Sequence, residues 1–364
     1  MKILCLITLQ LFLSLSLSSY ADNERAASCV SISQKSALNK WKNRGPDLFK
    51  YCTDTQSALE GSLFTPFDPE TAINTATAYY EVTNCLGLKW QNLFPKISAE
   101  SGFLNSVVGP KGDRGIGQLT SIAITDVQKN SDWIWNKIRQ NSTTTCKILT
   151  NKINKWGKSN FFEFPTNLSC AVMSGELGLY RNILFSATLN LLNQRYVEQA
   201  YERFNIRGKF QEAGYESAPH DRIKTMLSFI GYNNGGTSAV IDLDNYLKSR
   251  IDFIKRKNQE LWKIDGTSID RRKFLALLSA DDFDFSMGAI RYQHLYEKLP
   301  HDASFEEKSV LLRNISVSKL GFPEWLRIWQ TNGGPGYMNG IYQVAKTLGN
   351  KDSACVNLDL FKLH

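Results

Sequence analysis

Apolar residues in this chain recur at the spacing of a helix, not of a strand, and that periodicity narrows the architectures open to it. Trp90, Leu93, Phe94 and Ile97 fall at i, i+3, i+4 and i+7, one face of an α-helix. Ser101-Gly102 then offers a glycine stop. The next stretch, 107–117, is glycine-rich and turn-like, with room for a small β-ribbon or loops alone. Helical spacing resumes from Ser121. It continues through Leu168, Ala171, Val172, Gly175 and Leu179 towards Phe204, and returns in Met226–Tyr232 before the stop Asn233-Asn234-Gly235-Gly236. Proline, which interrupts helices, occurs 10 times in 364 residues, so the expected fold class is mainly α.

The beginning of the chain speaks to compartment. Lys2 precedes an apolar run from Ile3 to Leu17, and Ser19-Tyr20-Ala21 places small residues where a signal peptidase reads. The pattern predicts a secretory signal peptide cleaved near Ala21, hence a periplasmic or secreted protein. A spanning helix needs about 20 apolar residues, and this run is shorter and dotted with serine, so no stable membrane insertion is expected. Six cysteines remain after that segment: Cys29, Cys52, Cys85, Cys146, Cys170 and Cys355. Without a Cys-x-x-Cys pair they resemble no zinc site, and no metal or other cofactor is expected. They read as three disulfides formed in an oxidising compartment. The local pairings Cys146–Cys170 and Cys29–Cys52, leaving Cys85 for Cys355, are the expected ones. The formal charge of +8 favours an acidic partner without choosing among nucleic acid, anionic membrane and cell wall.

The stretch most suggestive of chemistry is Ile97-Ser98-Ala99-Glu100-Ser101-Gly102-Phe103, followed by Gly112-Asp113-Arg114-Gly115-Ile116-Gly117-Gln118-Leu119-Thr120. Glu100 shares a helix face with Leu93 and Ile97. A carboxylate on a mostly apolar face loses hydration, which favours its protonated form and suits a general acid. Glycines at 115 and 117 let backbone pass close to a polymer lying in a cleft. Gln118 both donates and accepts hydrogen bonds, as an N-acetyl group requires. Each feature singly is commonplace; their order and spacing is what raises the interest.

Glu-Ser-Gly-Phe, then a turn ending Gly-Ile-Gly-Gln, then Tyr-Asn-Asn-Gly-Gly, resembles the soluble lytic transglycosylase family of the lysozyme-like superfamily. The likeness covers about 30 residues around Glu100 and about ten around Tyr232. It implies an α+β lysozyme-like domain, two helical lobes flanking a cleft with a small β or loop region, plus extra helical segments at both ends. In that frame the chain divides into a signal peptide (1–21), an N-terminal helical lead-in (22–75), the catalytic domain (76–250) and a C-terminal helical region (251–364) able to pack back on it. The resemblance makes Glu100 the catalytic acid and base, with Ser101 orienting it or the substrate. Gln118 would contact the acetamido group, Tyr232 would bond Glu100 or substrate, and Asn233 would shape the same wall. Tyr337, with Tyr342 as its rival, would supply a late aromatic element. Gly231 and Asn234 replace the alanines of the family's third motif, and the spacing from Gln118 to Tyr232 implies an insertion.

The implied substrate is peptidoglycan glycan strands, cut at the bond between N-acetylmuramic acid and N-acetylglucosamine to leave a 1,6-anhydro ring. One carboxylate suffices for that reaction because the nucleophile, the C6 hydroxyl, is already tethered to the sugar. Two alternatives stay open. One is a hydrolase similar to goose-type lysozymes, using Glu100 with Asp113, although Asp113 beside Arg114 in a turn reads more simply as a solvated residue. The other is a non-catalytic cell-wall-binding protein. No nucleic-acid partner is expected, since no basic-aromatic motif accompanies the charge, and the oligomeric state is open.

Overall fold

The computed structural model describes residues 21–40, 50–52, 58–60, 67–109, 112–164, 170, 175–213, 218–245, 247–248, 251–252 and 337–361. The expected signal peptide up to residue 20 lies outside them, as do 253–336 of the C-terminal region and Leu168, Ala171 and Val172. The described chain is mainly helical, as the periodicity predicts. Helix α1 covers 21–40, α2 Pro69–Cys85, α3 Trp90–Ser101, α4 Ser121–Lys129, α5 Ser131–Gln140, α6 Thr144–Trp156 and α7 Lys158–Phe162. There follow α8 Gly175–Arg203, α9 Ile206–Glu212, α10 His220–Asn234, α11 at 236–245 and α12 Tyr337–Lys351. Among the described residues no helix is long and apolar enough to cross a membrane.

Local chemistry sets these boundaries. Asp68 caps α2 by accepting from the N–H groups of Glu70 and Thr71, both at 3.1 Å, with Pro69 in the first turn where no N–H is needed. Thr120 caps α4 through the N–H of Ala123 at 3.2 Å. Helix α3 ends where Gly102 turns left-handed at φ 63°, the stop expected from the sequence.

The glycine-rich stretch contributes one two-residue strand to a small sheet. Strands β1 (Lys50–Cys52), β2 (Ala58–Glu60) and β3 (Val107–Val108) form one antiparallel sheet in the order β2-β1-β3, with Tyr51 opposite Val107. Two of its strands therefore come from the polar lead-in, which supplies this sheet as well as helix α1.

By the density of internal contacts the chain forms two units, one of residues 1–189 and 343–358, the other of 190–342 and 359–364. In the first, an aromatic cluster seats α3 on α2. Phe94 stacks on Phe103 with centroids 4.6 Å apart, Tyr79 meets Phe103 edge-on at 5.1 Å, and the Tyr79 hydroxyl donates to the Trp90 carbonyl at 2.8 Å. Phe103 adopts φ 65°, a backbone state that disfavours large side chains. Its complete burial in the cluster offsets that cost.

The cysteines form three bridges, but not the expected ones. They are Cys29–Cys355, Cys52–Cys170 and Cys85–Cys146. Closeness in sequence misleads here because helix packing decides which sulfurs meet. Cys85 ends α2 and Cys146 begins α6; α1 meets the 3₁₀ turn Ser353–Cys355 across almost the whole chain. That long bridge is reinforced by Lys351 Nζ donating to Ser36 Oγ at 2.9 Å and Asn357 Nδ2 to Asn92 Oδ1 at 3.0 Å. Because it closes the longest loop, removing it relaxes the unfolded chain most. The double substitution Cys29→Ala, Cys355→Ala should lower unfolding free energy by about 2–5 kcal/mol in non-reducing denaturant titrations. Unchanged stability would mean that the non-covalent contacts of α1 suffice.

Candidate functional site

Glu100 lies one residue before the end of α3, with 14% of its side chain exposed. The next residue, Ser101, is buried and faces inward. Its Oγ donates to the Ile116 carbonyl at 2.7 Å and accepts from the Phe103 N–H at 3.1 Å. One hydroxyl thus ties the helix end bearing Glu100 to the glycine turn bearing Gln118.

The turn itself is a closed backbone circuit. Arg114 and Leu119 exchange N–H···O bonds at 3.1 and 3.2 Å, and Gly115 N–H reaches the Val107 carbonyl at 2.9 Å. Gln118 sits at φ 47°, buried, its Nε2 donating to the carbonyls of Gly115 (2.8 Å) and Val107 (3.2 Å). Both amide protons are spent inside the turn. Gly109 lies against Gln118 Oε1 and against the Asp113 carboxylate, and a Cβ at 109 would overlap both. Asp113, half-buried, thus lies with its carboxylate over Gly109.

A residue missed in the sequence reading, Asn182 of α8, clamps this turn. Its Oδ1 accepts from the Gly117 N–H at 2.8 Å and its Nδ2 donates to the Arg114 carbonyl at 3.1 Å, while the side chain is completely buried. Gly115, at φ 74°, is pressed so closely on the Asn182 amide that a Cβ there would collide with it. The signal available in sequence was Arg181-Asn182 preceding an apolar run in a helix; a buried amide in such a place has a partner to satisfy. Arg181 is buried beside it, donating to the Phe161 carbonyl at 3.1 Å, and burial brings its guanidinium down to about 10.

Lys96 is the second residue not foreseen. Four residues before Glu100 it occupies the same helix face, its side chain 0% exposed and its Nζ 3.9 Å from Glu100 Oε1. The carboxylate face expected to be apolar thus also holds a buried amine, legible in hindsight from the i, i+4 spacing. Burial lowers the Lys96 ammonium to about 7, and Glu100 opposes that shift. Elsewhere in the first unit, burial raises the Glu81 carboxyl although the Tyr180 hydroxyl donates to it at 2.6 Å. Glu176 is exposed and pairs with Lys152 at 2.6 Å.

The remaining expected site residues belong to the second unit. Tyr232 is half-buried and Asn233 exposed in the last turn of α10. Gly231, where the family pattern has alanine, has the Gly236 backbone 2.7 Å from the place a Cβ would take. Gly236 N–H donates to Asn193 Oδ1 at 3.0 Å, so the α10–α11 corner closes around two glycines. Tyr337 opens α12, half-buried, and its rival Tyr342 packs on Phe361 with centroids 5.6 Å apart. His220 bonds Tyr201 through Nδ1 at 2.6 Å, and burial lowers its pKa. Among the described residues, Cys29, Asp352 and Cys355 lie close enough for a metal ion, but the two sulfurs are bonded to each other.

Compared with protein-family models, curated proteins and solved structures, the chain finds no match in any of the three.

Two measurements check this geometry. Asn182→Ala removes the side-chain acceptor of the buried Gly117 N–H and one of two donors to the Arg114 carbonyl, and should cost about 1–3 kcal/mol in denaturant unfolding; Asn182→Asp keeps the acceptor for Gly117 but turns a second oxygen on the Arg114 carbonyl, and should cost at least as much. The second concerns pH. The folded pKa of Lys96 lies below its ordinary value of 10.5, so the unfolded chain binds the extra proton between about 7 and 10.5. Stability from this group is therefore full above 10.5 and lost as pH falls through about 7. Between pH 7 and 9.5, wild-type stability should climb more steeply than that of Lys96→Met, and parallel curves would show that Lys96 is not buried as described.

Proposed function

We propose that this chain is an exported peptidoglycan lytic transglycosylase of lysozyme-like architecture, with Glu100 as its acid and base. The observation that carries the reading is the Ser101–Ile116 hydrogen bond of 2.7 Å. It joins the two sequence motifs of the resemblance, the Glu-Ser helix end and the Gly-x-Gly-Gln turn, into one rigid unit. The mainly helical chain, the small ribbon beside the turn and three disulfides suited to an oxidising compartment support it.

In this reading Glu100, in its protonated form, gives its proton to the glycosidic oxygen between N-acetylmuramic acid and N-acetylglucosamine. The substrate's own acetamido oxygen stabilises the sugar cation. Glu100, now a carboxylate, takes the proton of the C6 hydroxyl as that oxygen bonds to the anomeric carbon, and the 1,6-anhydro ring closes. Gln118 presents Oε1 to an acetamido N–H, because Gly115 and Val107 already hold its Nε2. The resemblance gives Tyr232, Asn233 and Tyr337 a part in binding substrate. The hydrolase alternative draws on the Asp113 carboxylate over Gly109, where it could activate water.

Mass spectrometry of soluble products from purified peptidoglycan tests both. Wild type should release anhydro-muropeptides, and Glu100→Gln should release them at least about a hundredfold more slowly. Reducing-end products, abolished by Asp113→Asn, would establish the hydrolase instead. No products from a folded wild type would leave a wall-binding protein.

A further inference from the structure

Lys96 is poorly explained as a packing residue. A buried amine is among the more costly groups to place in a protein interior, and Leu or Met would fill the same volume on α3. Its side chain is fully excluded from solvent, so it does not reach a polymer bound at the surface. What it does reach is Glu100: the i, i+4 spacing and the 3.9 Å separation put the amine beside the carboxylate, on the side away from solvent.

From that juxtaposition we propose that Lys96 is a positioning residue and charge partner for Glu100, stabilising the carboxylate that Glu100 becomes once its proton has gone to the leaving oxygen. The inference rests on the reading of Glu100 as the acid and base. In the first step the proton moves from the Glu100 carboxyl to the glycosidic oxygen and the C–O bond breaks, leaving a carboxylate facing the Lys96 ammonium. In the second, that carboxylate takes the C6 hydroxyl proton as the new C–O bond forms. Lys96 gives no proton to the substrate and acts through the charge of its protonated form, in a water-poor place where such a charge is felt strongly. The arrangement also accounts for Lys96 being held near its charging point: burial alone disfavours the ammonium, and the carboxylate opposes it. The two groups are thus energetically linked, and such linkage is reciprocal.

The experiment has two arms. In the first, the Lys96 side-chain signal of uniformly ¹³C-labelled protein is followed against pH by NMR, in wild type and in Glu100→Gln. The midpoint should fall when the carboxylate is removed; an unchanged midpoint would overturn the pairing. This arm needs no activity. In the second, release of anhydro-muropeptides is measured against pH for wild type, Lys96→Met and Lys96→Arg. Removing the positive charge favours the protonated form of its neighbour, so in Lys96→Met the alkaline limb should move to higher pH. The maximal rate should fall about tenfold or more, since the carboxylate intermediate is no longer stabilised. Lys96→Arg should recover part of the rate. A Lys96→Met enzyme with wild-type rate and profile, or a loss equal in both variants with the profile unmoved, would overturn the proposal and leave Lys96 a structural residue. A wild type that releases nothing while the NMR coupling persists would overturn the transglycosylase reading, not the pairing.

Discussion

A single buried hydroxyl, Ser101 Oγ, fastens the end of α3 to the glycine turn that follows it. Helix ends are mobile unless held, and glycine turns more so, because glycine loses the most conformational freedom on folding. The bond from Ser101 to the Ile116 carbonyl couples the end of α3 to the turn at 2.7 Å. Asn182 then holds the turn from the other side through Gly117 and Arg114. With both contacts in place, Glu100 and Gln118 occupy related positions on one scaffold, which is what a reaction depending on fixed geometry requires.

Behind this unit lies a second tier of support drawn from remote parts of the chain. Helix α1 meets α3 through Ser33 Oγ and Ser98 Oγ, 2.6 Å apart, and Gln34 Nε2 donates to the Phe103 carbonyl at 3.0 Å. Gly102 is required at that contact twice over. Its φ of 63° stops the helix, and its missing Cβ makes room for Ala37. The Cys29–Cys355 bridge fastens α1 in turn to the C-terminal 3₁₀ turn. A segment that reads as a polar lead-in is therefore part of the support for the helix carrying Glu100.

The electrostatics of α3 combine two opposed tendencies. Burial disfavours the Lys96 ammonium, whereas the Glu100 carboxylate, 3.9 Å away, opposes that shift.

The sequence by itself determined the mainly helical class, the ends of α3 and α10 and the order of the motifs, because these follow from short-range rules. The 3.6-residue spacing marks α3 from Trp90 to Ser101, and Gly102 and Gly235 end α3 and α10 through the absence of a Cβ. Much of the candidate constellation was legible for the same reason, since Glu100, Ser101 and Gln118 lie within one short stretch. Tertiary structure alone decided which distant groups meet. It paired Cys52 with Cys170 and not with Cys29, joined strands of the lead-in to Val107–Val108, and brought Asn182 of α8 onto a turn some 65 residues earlier in the chain. Such contacts are set by which helix faces bury against one another, and nothing within a window of a few residues records that choice.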